Sequence, residues 1–450
     1  MAKSLNFILA IFLLLIFGCS KESDLITDSN SQSKPSFSKL TTNTPNVVTG
    51  TLPFDVSISD IQFDYDHANN TDDGIDIRYN WTNDYHNSDY LPSLGWNEPF
   101  AYVKGKQNVK IKIFITATNA DQTYRDSVKI VGRLVSGGEI GNFSGTIILS
   151  SRSVSTCYGN GYLVADGAVA STVGINGNLR WEWHVVGWNN NTCDYTITTT
   201  GPHTLYRLYS LPTAPWYLSG NPLYGDPLIN QNNGRPTTNY RGMEPHVQYV
   251  LENACAWASG LSDPNAIVSA ITNNVYYYFG QHGIRYSSAS WSWFNPFQLP
   301  VNYFGAGPFS PNYFYIENVD YFYNGLSWFA DCHVASDYVH TLTTALGINT
   351  SVIDLKKSDG SAYGTTACQP FGSSGYSSQA FSMHQVIYYN GKIWDPTATY
   401  ASNGYTFIDG VTQSSFVSLA VSPGDAGLIV WGPPVTLLGV DWENRPAAGN

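Results

Sequence analysis

The sequence predicts an α+β protein: a β-sandwich region first, then an α+β domain built around one central helix. Three observations carry this. Residues 51–210 hold short runs of alternating apolar and polar residues separated by turn residues. Ser327 to Asn349 (SWFADCHVASDYVHTLTTALGIN) has apolar residues at helical spacing. Phe381 to Tyr400 (FSMHQVIYYNGKIWDPTATY) has two apolar runs around Asn390-Gly391, a strong short hairpin signal.

In the β region, Val109, Ile111, Ile113 and Ile115 fall on one face of a strand. Similar runs occur at 75–79, 128–131, 145–149, 179–183 and 204–208. Asp64-Tyr65-Asp66-His67 and Asp72-Asp73-Gly74 form an acidic stretch that lacks the spacing of an EF-hand loop, so it reads as a solvated loop. Residues 211–245 are rich in Pro, Gly and Asn and read as a linker. Helical periodicity appears at 247–251 and 266–271, in a second domain spanning 246–450. Residues 427–431 and 435–438 read as closing strands.

In the central helix, Val334, Tyr338, Leu342, Ala345 and Leu346 form one apolar stripe. Asp331 is placed to cap its start and Gly347 to end it. Cys332 then occupies the first turn, where unpaired N–H groups and the dipole favour a thiolate. A two-residue Asn390-Gly391 loop pairs Tyr389 with Lys392, Tyr388 with Ile393 and Val386 with Asp395. That register puts His384 and Asp395 on one face as diagonal neighbours, about 7–8 Å apart along the backbone. A cysteine at a helix start, with a histidine and an aspartate on adjacent strands, is the layout of an activated thiol nucleophile.

These residues resemble the transglutaminase-like superfamily over roughly residues 245–415. In that family a cysteine opens a helix ending in an LGI run, here Cys332 and Leu346-Gly347-Ile348, followed by a histidine strand and a W-D-P-T strand, here His384 and Trp394-Asp395-Pro396-Thr397. The resemblance implies a papain-like fold and a catalytic triad of Cys332, His384 and Asp395. It implies acyl transfer from a carboxamide or peptide bond of a protein or peptide substrate, to water or to an amine, with no cofactor. Two residues depart from the pattern: Ser336 replaces a small alanine four positions after the cysteine, and Asp331 directly precedes the thiol. A free carboxylate there raises a thiol pKa unless its charge is engaged in capping. The Cys332 N–H is one candidate oxyanion donor, and Trp328 lies in the stretch where a second is sought. No His, Cys or Asp cluster has metal-ligand spacing.

Composition narrows the setting. Lys and Arg total 22 against 34 Asp and Glu, which argues against a nucleic-acid partner. Only 12% of residues are charged while 31 are Tyr and 13 Trp, which suits an exported β-rich protein. Lys3 and the apolar run Leu5 to Phe17 form a targeting segment over residues 1–18, too short to span a membrane comfortably. Ile16-Phe17-Gly18-Cys19 resembles the bacterial lipoprotein signal, which implies a lipid on Cys19 and a place in the cell envelope, on the outer membrane. Residues 19–50 follow as a flexible tether.

With Cys19 lipidated, five cysteines remain, so one thiol is left over from any full pairing. The expected disulfide is Cys157–Cys193, in one β region. Cys255 and Cys368 could form a second, leaving Cys332 unpaired; the competing bridge, Cys332–Cys368, would disable the site. The alternative function is a cell-surface glycan- or protein-binding lipoprotein whose C-terminal domain is a silent scaffold, for which the aromatic content supplies stacking surfaces. A Cys332 that reaches a cleft beside His384 favours the enzyme; a buried or bridged Cys332 favours the binding protein.

Overall fold

The computed structural model describes residues 52, 54–63, 74–75, 77–78, 99–118, 127–151, 156–188, 191–212, 246–286, 313–315, 329–436 and 439–441. Cys19, the targeting segment and tether, the acidic stretch 64–73, most of the 211–245 linker and Trp328 lie outside them. All described residues belong to one compact unit, Val47–Asn450.

The fold is α+β. Its larger sheet has nine strands: β1 (Asp55–Gln62), β2 (Gly74–Ile75), β3 (Phe100–Val103), β4 (Lys110–Thr118), β5 (Ser127–Ser136), β6 (Phe143–Ser151), β7 (Thr156–Ala165), β8 (Gly174–Trp188) and β9 (Asn191–Leu208). Their order is β1-β4-β7-β6-β5-β8-β9-β3-β2. β1 comes back against β9, so the sheet curls around its own core. Alternation fixes the inner face: Ile111, Ile113, Ile115 and Ala117 of β4 are buried, and their neighbours along the strand are not. Trp181, Trp183, Phe63 and Phe100 fill the interior, with Phe63 and Phe100 stacked at 4.2 Å.

The expected Cys157–Cys193 disulfide is not formed; both are free thiols. Cys157 is on β7 and Cys193 on β9, which are not neighbours in the sheet, and the Cys193 thiol donates to the Val185 carbonyl at 3.5 Å. A bridge needs paired Cβ atoms about 3.5–4.5 Å apart. Cys255, Cys332 and Cys368 are likewise free. Cys255 donates to the Arg207 carbonyl, and Cys368 contacts the Thr365 hydroxyl.

Helices α1 (Gln248–Trp257), α2 (Pro264–Gln281) and α3 (Cys332–Ala345) pack together, α2 and α3 lying against one face of a six-stranded sheet. Its strands are β10 (Ser351–Lys357), β11 (Cys368–Pro370), β12 (His384–Tyr389), β13 (Lys392–Tyr400), β14 (Thr406–Val411) and β15 (Ile429–Trp431). The order is β11-β13-β12-β10-β15, with β14 also paired to β13. Helix α4 (Gln413–Ala420) places Phe416 in the core on the other face. α2 begins on an Asp263 cap with Pro264 at its first position, where a missing N–H costs nothing.

The core between α1, α2 and α3 also takes in Ala101 of β3 and Tyr206 and Leu208 of β9. Backbone bonds stitch the same boundary: Val173 N–H donates to Leu261 O and Gly260 N–H to Val173 O, both at 2.9 Å. The C-terminus of α3 docks there too. Ile348 N–H donates to Thr343 O and Gly347 N–H to Thr344 O, the two bonds of a Schellman ending, with Gly347 at φ +80°. Leu346 O then accepts from Ser210 N–H at 3.0 Å, and Gly347 O accepts from the Ser210 hydroxyl.

Gly347→Ala is expected to destabilise the protein by roughly 2 kcal/mol or more. A left-handed non-glycine residue costs about 1–2 kcal/mol, and the added Cβ would lie 2.2 Å from Ser210 O. Chemical denaturation checks this; an unchanged midpoint would show that the boundary is not held at this point.

Candidate active site

The site is assembled from the start of α3, the first residue of β12 and the middle of β13. Asp331 is the N-cap of α3: its Oδ1 accepts from His333 N–H at 3.0 Å and Val334 N–H at 3.1 Å. The carboxylate beside the thiol is thus engaged in capping, and Cys332 is the first residue of the helix proper.

The hairpin that carries the other two residues turns at Asn390 (φ 48°) and Gly391 (φ 77°), the two positive φ values that a type I′ turn requires. Tyr389 pairs with Lys392, Tyr388 with Ile393 and Ile387 with Trp394. The expected next pair, Val386 with Asp395, is not in the ladder. Pro396 has no N–H to donate, and Asp395 Oδ1 instead accepts from Thr397 N–H at 2.8 Å, bending the strand locally. His384 and Asp395 meet all the same: His384 Nε2 donates to Asp395 Oδ2 at 2.9 Å. Tyr400 OH donates to the same oxygen at 2.7 Å. The Asp395 carboxylate is fully buried, and three donors converge on it.

The Cys332 thiol and the His384 imidazole are close enough to shift each other's charge, although among the described residues no hydrogen bond closes on His384 Nδ1. Such slack is ordinary in a cysteine site without substrate. The imidazole lies between Phe381, stacked at 4.8 Å and 11°, and Phe416 at 6.4 Å. Cys332 is free but buried, only 3% exposed.

The electrostatics favour a charged pair. Burial alone would raise the Cys332 thiol, but the His333 and His384 imidazoles outweigh it and bring it below its ordinary value. Burial disfavours the imidazolium of His384, yet the Asp395 carboxylate and the thiol hold the ring above its ordinary value. Both shifts move the pair toward thiolate and imidazolium. Tyr286 and Tyr363 face the same charges, and burial first, then the nearby anions, raise both phenols.

Two contacts at the site had no counterpart in the sequence reading. Ser336 Oγ donates to Gln385 O at 2.9 Å, tying α3 to the strand that carries His384. A serine where the resembled family has alanine thus acts as a helix–strand link. His333 is a second imidazole at the thiol, with Nδ1 3.8 Å from Cys332 Sγ and 3.7 Å from Asp331 Oδ2. Consecutive helical residues point about 100° apart, so adjacency in sequence gave no sign of this contact.

The expected apolar stripe of α3 faces α1 and α2, where Tyr338 stacks on Phe279. The opposite face is not solvated. Ser336, Asp337, His340, Thr341, Thr343 and Thr344 are all buried. The threonine hydroxyls donate back to carbonyls one turn earlier, and Thr350 serves both His340 and Thr343. Asp337 is the exception: among the described residues its Oδ1 finds no hydrogen-bond partner, and burial pushes its carboxyl up to about 8.

No family model matches the chain, and no curated protein matches it. Among solved structures the chain is similar to the transglutaminase of red sea bream, with 11% identity and a TM-score of 0.31. That match covers 72% of this chain and 52% of the other, so this chain spans about half the length of the structure it matches. The functional reading therefore stands on the site's own residues.

Asp337→Asn is expected to stabilise the protein increasingly as pH rises. The folded value near 8 exceeds the unfolded value of about 4. Between these the native state holds a proton that the unfolded chain has lost, so stability falls with pH by up to about 1.4 kcal/mol per unit. The amide lacks that dependence. The melting temperature of the variant should exceed that of the wild type by more at pH 8 than at pH 5; an equal difference at both would contradict the buried neutral carboxyl.

Proposed function

We propose that this protein is an exported, lipid-anchored cysteine acyltransferase of the transglutaminase-like class, acting on carboxamide or peptide bonds. The observation that carries the reading is the contiguous arrangement of a depressed-pKa thiol at a capped helix start, an imidazole within its reach, and a buried carboxylate bonded to that imidazole. In the first step the Cys332 thiolate attacks the acyl carbonyl. The resulting oxyanion is met by the N–H of Cys332, one of the first-turn donors without an intrahelical acceptor. The intermediate collapses to a thioester, and the leaving amine takes the proton from His384. Water or an amine then gives its proton to neutral His384 and attacks the thioester, releasing the acyl product and restoring the pair. Asp395 fixes the tautomer and orientation of the ring throughout, as in other histidine-centred triads.

One observation favours the second reading, a surface binding protein with a silent scaffold: the burial of Cys332. A single assay separates the two. The wild type is expected to trap a thioester with a glutamine-containing peptide library, detected by intact mass, and to turn over with water or a primary amine. Cys332→Ala should do neither. Absence of any acyl-enzyme or turnover across the library would favour the silent scaffold.

Asp395→Asn should lower kcat by about 10⁴-fold, as when the orienting carboxylate of a triad is neutralised. Asp395→Ala should in addition destabilise the fold, because it strands buried donors on His384, Tyr400 and Thr397, each at about 1–3 kcal/mol. Kinetics on Asp395→Asn with a thermal melt of both variants would check this; wild-type kcat in the amide variant would contradict the triad.

The export part of the proposal rests on the residues Leu5 to Cys19. Labelled fatty acid is expected to enter the wild type and not Cys19→Ala. Equal incorporation would remove the lipid anchor.

A further inference from the structure

We propose that His333 is a second imidazole of the site, its Nδ1 faced by both the Asp331 carboxylate and the Cys332 sulfur, and that it shares with His384 the holding of the sulfur as an anion. This rests on reading Cys332 as the nucleophile, but it concerns how the thiolate is kept and not what it attacks.

The geometry is direct. His333 Nδ1 is 3.8 Å from Cys332 Sγ, a sulfur hydrogen-bond distance, and 3.7 Å from Asp331 Oδ2. Asp331 therefore serves two ends: one oxygen caps the helix through the His333 and Val334 N–H groups, and the other faces the His333 ring. The carboxylate that would oppose a thiolate next to it instead supports a cation beside it. The neighbours are consistent. On α3 itself, Asp331, Cys332 and Asp337 face His333; Asp354 of β10 acts on Asp337 behind it; His384 of β12, Tyr286 and Tyr363 face Cys332. Burial disfavours the His333 cation, but the thiol and Asp331 outweigh it and raise the ring well above its ordinary value.

A division of labour follows. His384 must give up its proton to the leaving amine, a step at which the sulfur is already acylated and uncharged; the anionic sulfur has to be held before that, in the free enzyme. A second imidazolium that keeps its proton leaves the thiolate stabilised whatever the state of His384. It also makes the thiolate independent, in part, of the triad histidine.

The test is the pH dependence of Cys332 alkylation by iodoacetamide, followed by peptide mapping, in the full-length protein. It needs no acyl substrate, so failure of the proposed function and failure of this inference are separable. In His384→Asn the thiol should remain reactive well below the range of an ordinary cysteine, while any turnover is lost. In His333→Gln the alkylation midpoint should move up by about one pH unit or more, a tenfold loss of thiolate at any pH below both midpoints. His333→Lys should bring it back down, because a fixed cation replaces the imidazolium. The His333→Gln, His384→Asn double variant should titrate at or above an ordinary thiol. The inference is overturned if His384→Asn alone abolishes the low-pH reactivity, or if His333→Gln leaves the midpoint unmoved. It is equally overturned if His333→Lys fails to restore it, since His333 would then act only by shaping the helix start.

Discussion

The site depends on where α3 begins, and one carboxylate decides that. Asp331 accepts the N–H groups of His333 and Val334. Those bonds fix the first turn and hence the direction of the Cys332 side chain. They also occupy the charge that sits closest to the thiol in sequence. Without the cap the same aspartate would be a free anion beside a nucleophile that must itself be anionic. With it, the helix start offers oriented N–H dipoles and two imidazoles to a buried sulfur.

Much of this was legible in the sequence because it is local. Asp331 before an apolar-periodic run and Gly347 after it are start and stop signals whose hydrogen bonds span only a few residues. Asn390-Gly391 sets a register through its own backbone conformation. What the sequence left unread depends on departures from regular geometry or on tertiary burial. Tyr400 is five residues beyond Asp395, so simple alternation puts it on the other face. The ladder with β14 instead shifts between Trp394 and Thr399, where Pro396 and the Asp395 turn interrupt the strand, and Tyr400 reaches the carboxylate. The expected disulfide failed for a related reason: shared membership of a β region says nothing about which strands are neighbours. His333 and Ser336 are ordinary helix residues until the packing of α3 against the thiol and β12 gives them partners.

Helix α3 is enclosed on every side, and its two faces are enclosed differently. The apolar face meets α1 and α2 through aromatic and aliphatic contacts. The polar face meets the smaller sheet through hydroxyls that satisfy themselves on the helix backbone or on Thr350. Such a face is costly where an atom lacks a partner, and among the described residues Asp337 Oδ1 is such an atom. It lies one turn beyond His333, close enough for the two to influence each other's charge. A buried acid of this kind adds to the negative surroundings of His333 only when it ionises, so the helix carries its own dependence on proton activity next to the thiol.

The union of the curled sheet with the three helices has a consequence for how the chain can diverge. Tyr206 and Leu208 of β9 share a core with Val339 and Leu342 of α3, and Ser210 holds the far end of that helix. The rim of the β region thus anchors the far end of the helix whose first residue is Cys332. The two halves cannot be exchanged like cassettes among unrelated proteins without re-fitting this seam. Variation tolerated by the sheet should concentrate on its outward strands, where Ile148, Tyr158 and Tyr162 already face solvent, and should thin out toward β9.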